Sequence, residues 1–193
     1  MELISMSSVG PMARYSDAHV YLAMDVIYAK GRISRSRLAG ELGLGEGSTR
    51  SLIKLMEDWS VIEVKRSGID LTRFGRVTFE NIPMRLVDAY SGNYAIGECQ
   101  QGMVIVGVAD KITNGMKQRD SGIRNGSEGA TVFTMRDGRI GFMDDWDIEE
   151  RDPDFAEHIR SYGLGDGDVF LLVGAKDQLS ARLAAISIGL ELL

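Results

Sequence analysis

Cysteine, proline and histidine are scarce in this 193-residue chain, which has one Cys, three Pro and two His. Cys99 on its own excludes an internal disulfide, and a lone thiol fits a reducing compartment. His19 and His158 lie far apart with no Cys partner at zinc-ligand spacing, so no metal site is expected. With so little proline, and glycine that follows no repeat, collagen-like and low-complexity chains are excluded. No run approaches the roughly 18 uninterrupted apolar residues of a membrane-spanning helix. The opening MELISMSSVGPMARYSD lacks the basic and apolar regions of a signal peptide. What remains is ordinary for a folded protein: 44% apolar and 26% charged residues. The length fits one or two domains. The chain therefore reads as soluble and cytoplasmic, without metal, cofactor or membrane contact.

Charge divides the chain. The net value of −6 argues against non-specific coating of nucleic acid. Residues 1–80 carry 11 Lys/Arg against 10 Asp/Glu, whereas residues 81–193 carry 11 against 18. From Lys30 to Arg76 there are 10 basic and 6 acidic side chains. A nucleic-acid-facing half joined to a different half would show this asymmetry, and so would a chance fluctuation in surface charge.

Periodicity separates these readings. Val20, Ala23, Met24, Ile27 and Tyr28 form the apolar stripe of a first helix that Gly31 stops. A second helix starts at Ser34 or Ser36, either of which can cap it, and buries Leu38, Ala39 and Leu42. Gly43 to Gly45 supplies a tight turn. A third helix covers residues 46–57, with Thr49, Leu52, Ile53 and Met56 inward and Gly47, Arg50, Ser51, Lys54 and Asp58 outward. Residues 61–66 and 69–72 alternate as strands around a Ser67-Gly68 turn, and Arg73 to Gly75 leads away.

That order, carried by LAGELGLGEGSTRSLIKLMEDWSVIEVKRSGIDLTRFG, resembles the winged helix-turn-helix transcriptional regulators. Leu38-Ala39 with Leu42-Gly43 matches their second helix and turn. Ser48-Thr49-Arg50 matches the start of their recognition helix, and Leu71-Thr72 with Gly75 the strand that closes their wing. Ser60 stands where many members have glycine, a departure that bears on the local turn. The resemblance implies binding of double-stranded DNA with the third helix in the major groove. Arg50 has the fork to read a guanine, and Ser48 and Ser51 can bond base or phosphate. Lys54, Lys65 and Arg66 would neutralise phosphates. Residues 43–47 (GLGEG) lack the preceding strand and the G-K-[ST] ending of a phosphate loop, so the interhelical turn is preferred.

After the Asn81-Ile82-Pro83 boundary, the second half alternates strands and helices. The apolar runs at 103–109 and 168–173 read as strands buried on both faces. A helix is expected over 114–124, and the strands 131–135 and 139–142 are joined by an Asp137-Gly138 turn. Residues 144–157 hold eight acidic side chains but not the spacing of a calcium loop. A solvated loop is expected there, with a shorter helix from about Asp154. A last helix, capped by Asp177, runs to Leu192.

The expected fold class is a two-domain α+β or α/β chain. A winged helix-turn-helix spans 1–82, and an α/β domain with a mixed sheet spans 83–193. In α/β folds, clefts form beyond the carboxyl ends of buried strands. On that rule Asp110 and Lys111, Arg119 and Asp120, and Lys176 and Asp177 could together hold a small polar effector; the competing reading is a helix cap and surface ion pairs. The last helix is apolar nearly all round, with Leu179, Leu183, Ile186 and Leu190 on one stripe and Ala181, Ala184, Ala185, Ile188 and Leu192 on another. A homodimer would cover both stripes, and so would a sheet together with a neighbouring helix.

With MKQRD at 116–120, the ATVFTMRDGRI hairpin and the terminal LVGAKDQLSARLAAI, most of the chain also resembles an uncharacterised archaeal family that joins a winged helix to an α/β domain. The leading reading is a DNA-binding regulator whose second domain dimerises and senses a ligand. A nucleotide-dependent kinase with an N-terminal winged helix is the alternative. Some archaeal riboflavin kinases share that layout, and residues 91–97 are similar to their glycine-rich segment, but no Pro-Gly-Thr-Leu-Asn loop is present. No catalytic constellation is legible. A protein-interaction adaptor is the third reading.

Overall fold

A computed structural model describes residues 14–142 and 146–193. The chain divides into two compact units, Met1–Ile82 and Pro83–Leu193. No described helix is long and apolar enough to cross a membrane.

The first unit consists of α1 (Asp17–Lys30), α2 (Arg35–Leu42), α3 (Glu46–Asp58), the antiparallel hairpin β1 (Ile62–Lys65) and β2 (Gly68–Leu71), and α4 (Arg73–Glu80). α1 is its centre. Val20, Tyr21, Leu22, Ala23, Val26 and Ile27 are all buried, because α2, β2 and α4 pack around the helix. Tyr28, expected on the inner stripe, is partly exposed instead, with Arg76 5.1 Å above its ring and its hydroxyl donating to Glu80 at 2.9 Å.

α4 corrects the expectation that Arg73 to Gly75 merely leads away from the hairpin. The Thr72 hydroxyl accepts from the Gly75 N–H at 2.9 Å and starts a helix of eight residues. Gly75 is required there. A Cβ on it would stand 1.8 Å from the Val61 carbonyl oxygen, so only glycine lets this turn close onto the chain just before β1.

The second unit is one six-stranded sheet in the order β3-β4-β8-β5-β6-β7. Its strands are β3 (Met84–Val87), β4 (Cys99–Ile105), β5 (Gly129–Arg136), β6 (Arg139–Phe142), β7 (Trp146–Asp147) and β8 (Val169–Ala175). Every pairing is antiparallel, so the two-domain α+β class holds but the sheet is not mixed. The apolar runs that read as strands buried on both faces are so, under helices on either side of an antiparallel sheet. α5 (Met116–Arg124) and α8 (Gln178–Leu192) cover one face. On the other, Val104, Phe133, Phe170 and Leu172 pack with Phe155, Ala156 and Ile159 of α7 (Pro153–Ser161). β4 starts at Cys99 and ends at Ile105, earlier than expected, and a short 3-10 turn at Ala109–Lys111 follows. The acidic stretch begins at residues outside the described set. From Trp146 onward it forms β7 and α6 (Ile148–Arg151) rather than a loop.

α8 lies against β3, β4, β8 and α5. Ala181, Ala184, Ala185, Ile186 and Ile188 are all buried within the single chain. The alanine-rich stripe, with Ile186 and Leu190 of the other, is therefore covered by sheet and neighbouring helix, while Leu179 and Leu183 stay half-buried. Most of the apolar surface that the sequence offered to a dimer contact on this helix is thus buried within one chain.

Three outcomes follow for stability. Ser60, at φ 59°, is the left-handed residue that ends α3, with its N–H on the Glu57 carbonyl at 2.7 Å and that of Val61 on Met56 at 3.1 Å. Glycine would relieve about 1–2 kcal/mol of left-handed strain and return about 0.5–1 through the freer unfolded chain. Ser60→Gly should accordingly raise stability by roughly 0.5–1 kcal/mol in urea unfolding. At the other end of this unit, His19 Nδ1 accepts from the Ser16 N–H at 3.2 Å, a capping contact that only the neutral ring can make. Burial holds its pKa below the ordinary 6.5. A lowered folded pKa means the contribution is complete above the unfolded value and is lost as pH falls through the folded one. Urea midpoints taken from pH 7.5 down to about 5 should fall more steeply than those of His19→Gln, which caps without titrating. Lastly, Ala185→Glu places an unpaired charge in the core at a cost of about 3 kcal/mol or more. Thermal melting should show the second unit unfolded or strongly destabilised, and a folded variant of unchanged melting point would contradict this packing.

Candidate functional site

The outward face of α3 is set by how its inward face is fixed. The Ser34 hydroxyl caps α2, accepting from the Arg37 N–H at 3.3 Å. Gly43, at φ 62°, ends α2 in the left-handed conformation, and α3 restarts from Gly45. Thr49 is fully buried and donates its hydroxyl to the Gly45 carbonyl at 3.1 Å, which ties the helix to the turn. With Leu52, Ile53 and Met56 also buried, helical spacing turns Gly47, Arg50, Ser51 and Lys54 to solvent and leaves Ser48 half-buried.

Arg50 ion-pairs with Glu46 one turn earlier at 2.9 Å, and the two side chains are 65% and 77% exposed. Such a pair is worth only a few tenths of a kcal/mol in water, so a competing anion displaces it easily. Ser51 donates to the Gly47 carbonyl at 3.1 Å, which leaves its oxygen free to accept. Lys65 and Arg66 stand exposed at the hairpin tip, where Lys65 opposes Gly68 and pairs with Glu63. Ser48, Arg50, Ser51 and Lys54 thus share one helix, with Lys65 and Arg66 on the hairpin of the same unit.

Sequence reasoning passed over two further cations. Arg35 and Arg37 are exposed in the first turn of α2. Arg35, Ser36 and Ala39 of α2 line a cleft of about 530 Å³ with Glu46 and Thr49 of α3. The signal was present in the charges. A helix dipole favours acids in the first turn, and α2 has none there but two arginines, an arrangement that suits an approaching anion.

The six residues expected to hold an effector are not brought together. Cys99 pairs with Ala175 and Ile105 with Val169, so β4 and β8 finish at opposite ends of the sheet, about 20 Å apart. Lys111 donates to the Leu192 carbonyl and, at 3.5 Å, to that of Leu193, which closes the C-terminal end of α8. Asp177 caps the N-terminal end, about 22 Å away along the fifteen residues of the helix. Its carboxylate accepts the Ser180 N–H at 2.9 Å and hydroxyl at 2.8 Å, and these bonds hold its pKa below the ordinary 3.8. Arg119 and Asp120 pair with each other at 3.1 Å on the outer side of α5. Asp110 and Lys176 are exposed. The loops at that end are braced: Asp168 accepts from the Gly107 and Gly165 N–H groups at 2.9 Å each, and Arg136 donates to the Ala109 and Ile112 carbonyls. The strand-end rule belongs to parallel sheets, and here the sheet is antiparallel.

Comparison with known proteins bears on the fold. The comparison with curated proteins found no match. A solved structure, the hypothetical protein PH0730 from Pyrococcus horikoshii OT3, superposes with a TM-score of 0.76 at 23% identity over 93% of each chain. At that identity the likeness speaks for the fold across both units and for nothing further. A family model described as "Domain of unknown function (DUF4443)" matches residues 96–192, from just before β4 to the last turn of α8. The chain belongs to the DUF4443 family, and the part that defines its membership lies within the second unit.

Proposed function

We propose that the first unit is a winged helix-turn-helix that binds double-stranded DNA, and that the chain acts as a transcriptional regulator. The observation that carries this reading is the outward face of α3. It is small and basic where a groove-entering helix needs to be, beside a hairpin whose tip carries Lys65 and Arg66. Gly47 and Ser51 allow close approach, Arg50 presents a planar fork to a guanine edge, and Ser48 bonds base or phosphate. Lys54, Lys65 and Arg66 meet phosphates, and Arg35 and Arg37 add two more phosphate contacts beside the cleft. The net charge of −6 fits a protein that depends on this one face for binding rather than on a general positive field.

The test is titration of duplex DNA at fixed salt, after selection of a binding site from random sequence. Arg50→Ala should cost about 1–3 kcal/mol on the selected site and relax the preference at one base position. Lys65→Ala should weaken all duplexes alike and reduce the salt slope by about one unit. Unchanged binding by the Arg50→Ala, Lys54→Ala double variant would overturn the assignment.

A further inference from the structure

α5 turns Gln118, Ser121 and Gly122 inward, where they are buried. At 100° per residue, the middle of the opposite face falls at Met116 and Ile123, two large side chains that are 50% and 51% exposed. Between them lie Arg119 and Asp120, half-exposed and paired with each other. Scattered apolar side chains are normal on a protein surface. The order of these four is what sets the face apart: apolar, basic, acidic, apolar at 116, 119, 120 and 123. A two-fold axis through the midpoint of Arg119 and Asp120 brings up an antiparallel copy of the helix. Met116 then meets the partner's Ile123, and Arg119 meets the partner's Asp120, each contact being made twice.

We propose that α5 is the seat of a homodimer, packing antiparallel on the same helix of a second copy of this chain. The face is complementary to itself under a two-fold operation, which is the requirement of an isologous contact. The Arg119–Asp120 pair within one copy is exposed and weak, so it rearranges into a four-charge cluster across the axis at little cost. Two nine-residue helices bury less than the roughly 800 Å² per partner of a standard interface, so the dimer belongs in the micromolar range. The inference stands apart from the DNA reading, since neither the residues nor the measurement involve the first unit.

Sedimentation velocity of the full chain decides it, at concentrations up to a few hundred micromolar. The wild type should sediment as a dimer at the upper end of that range. Asp120→Arg and Arg119→Asp should each be monomeric, with dimerisation weakened about tenfold or more, because like charges now face each other across the axis. Both side chains are exposed, so at concentrations low enough for the wild type to be a monomer the melting temperatures should equal the wild-type value. An equal mixture of the two variants should recover the dimer, since one copy then offers two acids to two arginines. The double variant Arg119→Asp, Asp120→Arg keeps opposite charges across the axis and should dimerise as the wild type does. A wild type that stays monomeric throughout, single variants that still dimerise, or a mixture of folded variants that stays monomeric would each overturn the proposal.

Discussion

β8 is the constraint on which the second unit depends. All seven of its residues are buried, and it is bonded along its whole length to β4 on one side and to β5 over six pairs on the other. Both neighbours run against it, and that fixes what the ends of the unit can do. α8 follows β8 after two residues and returns along it. Fifteen helical residues span about 22 Å, close to the length of a seven-residue strand. The last turn of α8 therefore comes back to the end where β4 finishes and the next turn begins. That is where Lys111 donates to the final carbonyls, so strand register and helix length together place one lysine on one helix terminus.

The same constraint explains which parts of the second unit the sequence disclosed. The Asp137-Gly138 turn was legible because its chemistry is local, and Asp137 at φ 51° and Gly138 at φ 74° adopt the positive φ values such a turn demands. The Asp177 cap was legible for the same reason. Strand direction was not. An apolar run says that both faces are covered, and a central antiparallel strand under helices on both sides meets that condition as well as a parallel one does. Everything built on direction moved with it: the strand-end cleft separated into a helix cap at each end of α8 and an exposed ion pair on α5. β3 was missed because four residues, only one of them fully buried, carry no measurable period.

In the first unit the legible part is larger because its information is local. Capping serine, left-handed glycine, buried threonine and the stripe from Leu52 to Met56 each act within one turn of helix, and together they fix which way Arg50 and Lys54 point. α4 was missed because its first turn contains Gly75, whose local helix propensity is poor. Its glycine answers to Val61, fourteen residues earlier and just before β1, whose carbonyl leaves no room for a Cβ. A long-range contact overrode a local propensity there, and single-sequence reasoning has no access to such a contact.

Apolar and charged side chains mean different things on α5 and α8, the two helices that cover one face of the sheet. α8 is the more apolar helix and drew attention on that ground, yet most of its excess is consumed within one chain, and Ala184, Ala185 and Gly189 record how closely the strands beneath it approach. α5 is mostly polar, and its two exposed apolar residues count only through their symmetry with the charges between them. Total hydrophobicity reports burial, whatever does the burying. Arrangement reports what a surface is complementary to, because an interface must match charge and shape at each position, and a sum over the helix discards both.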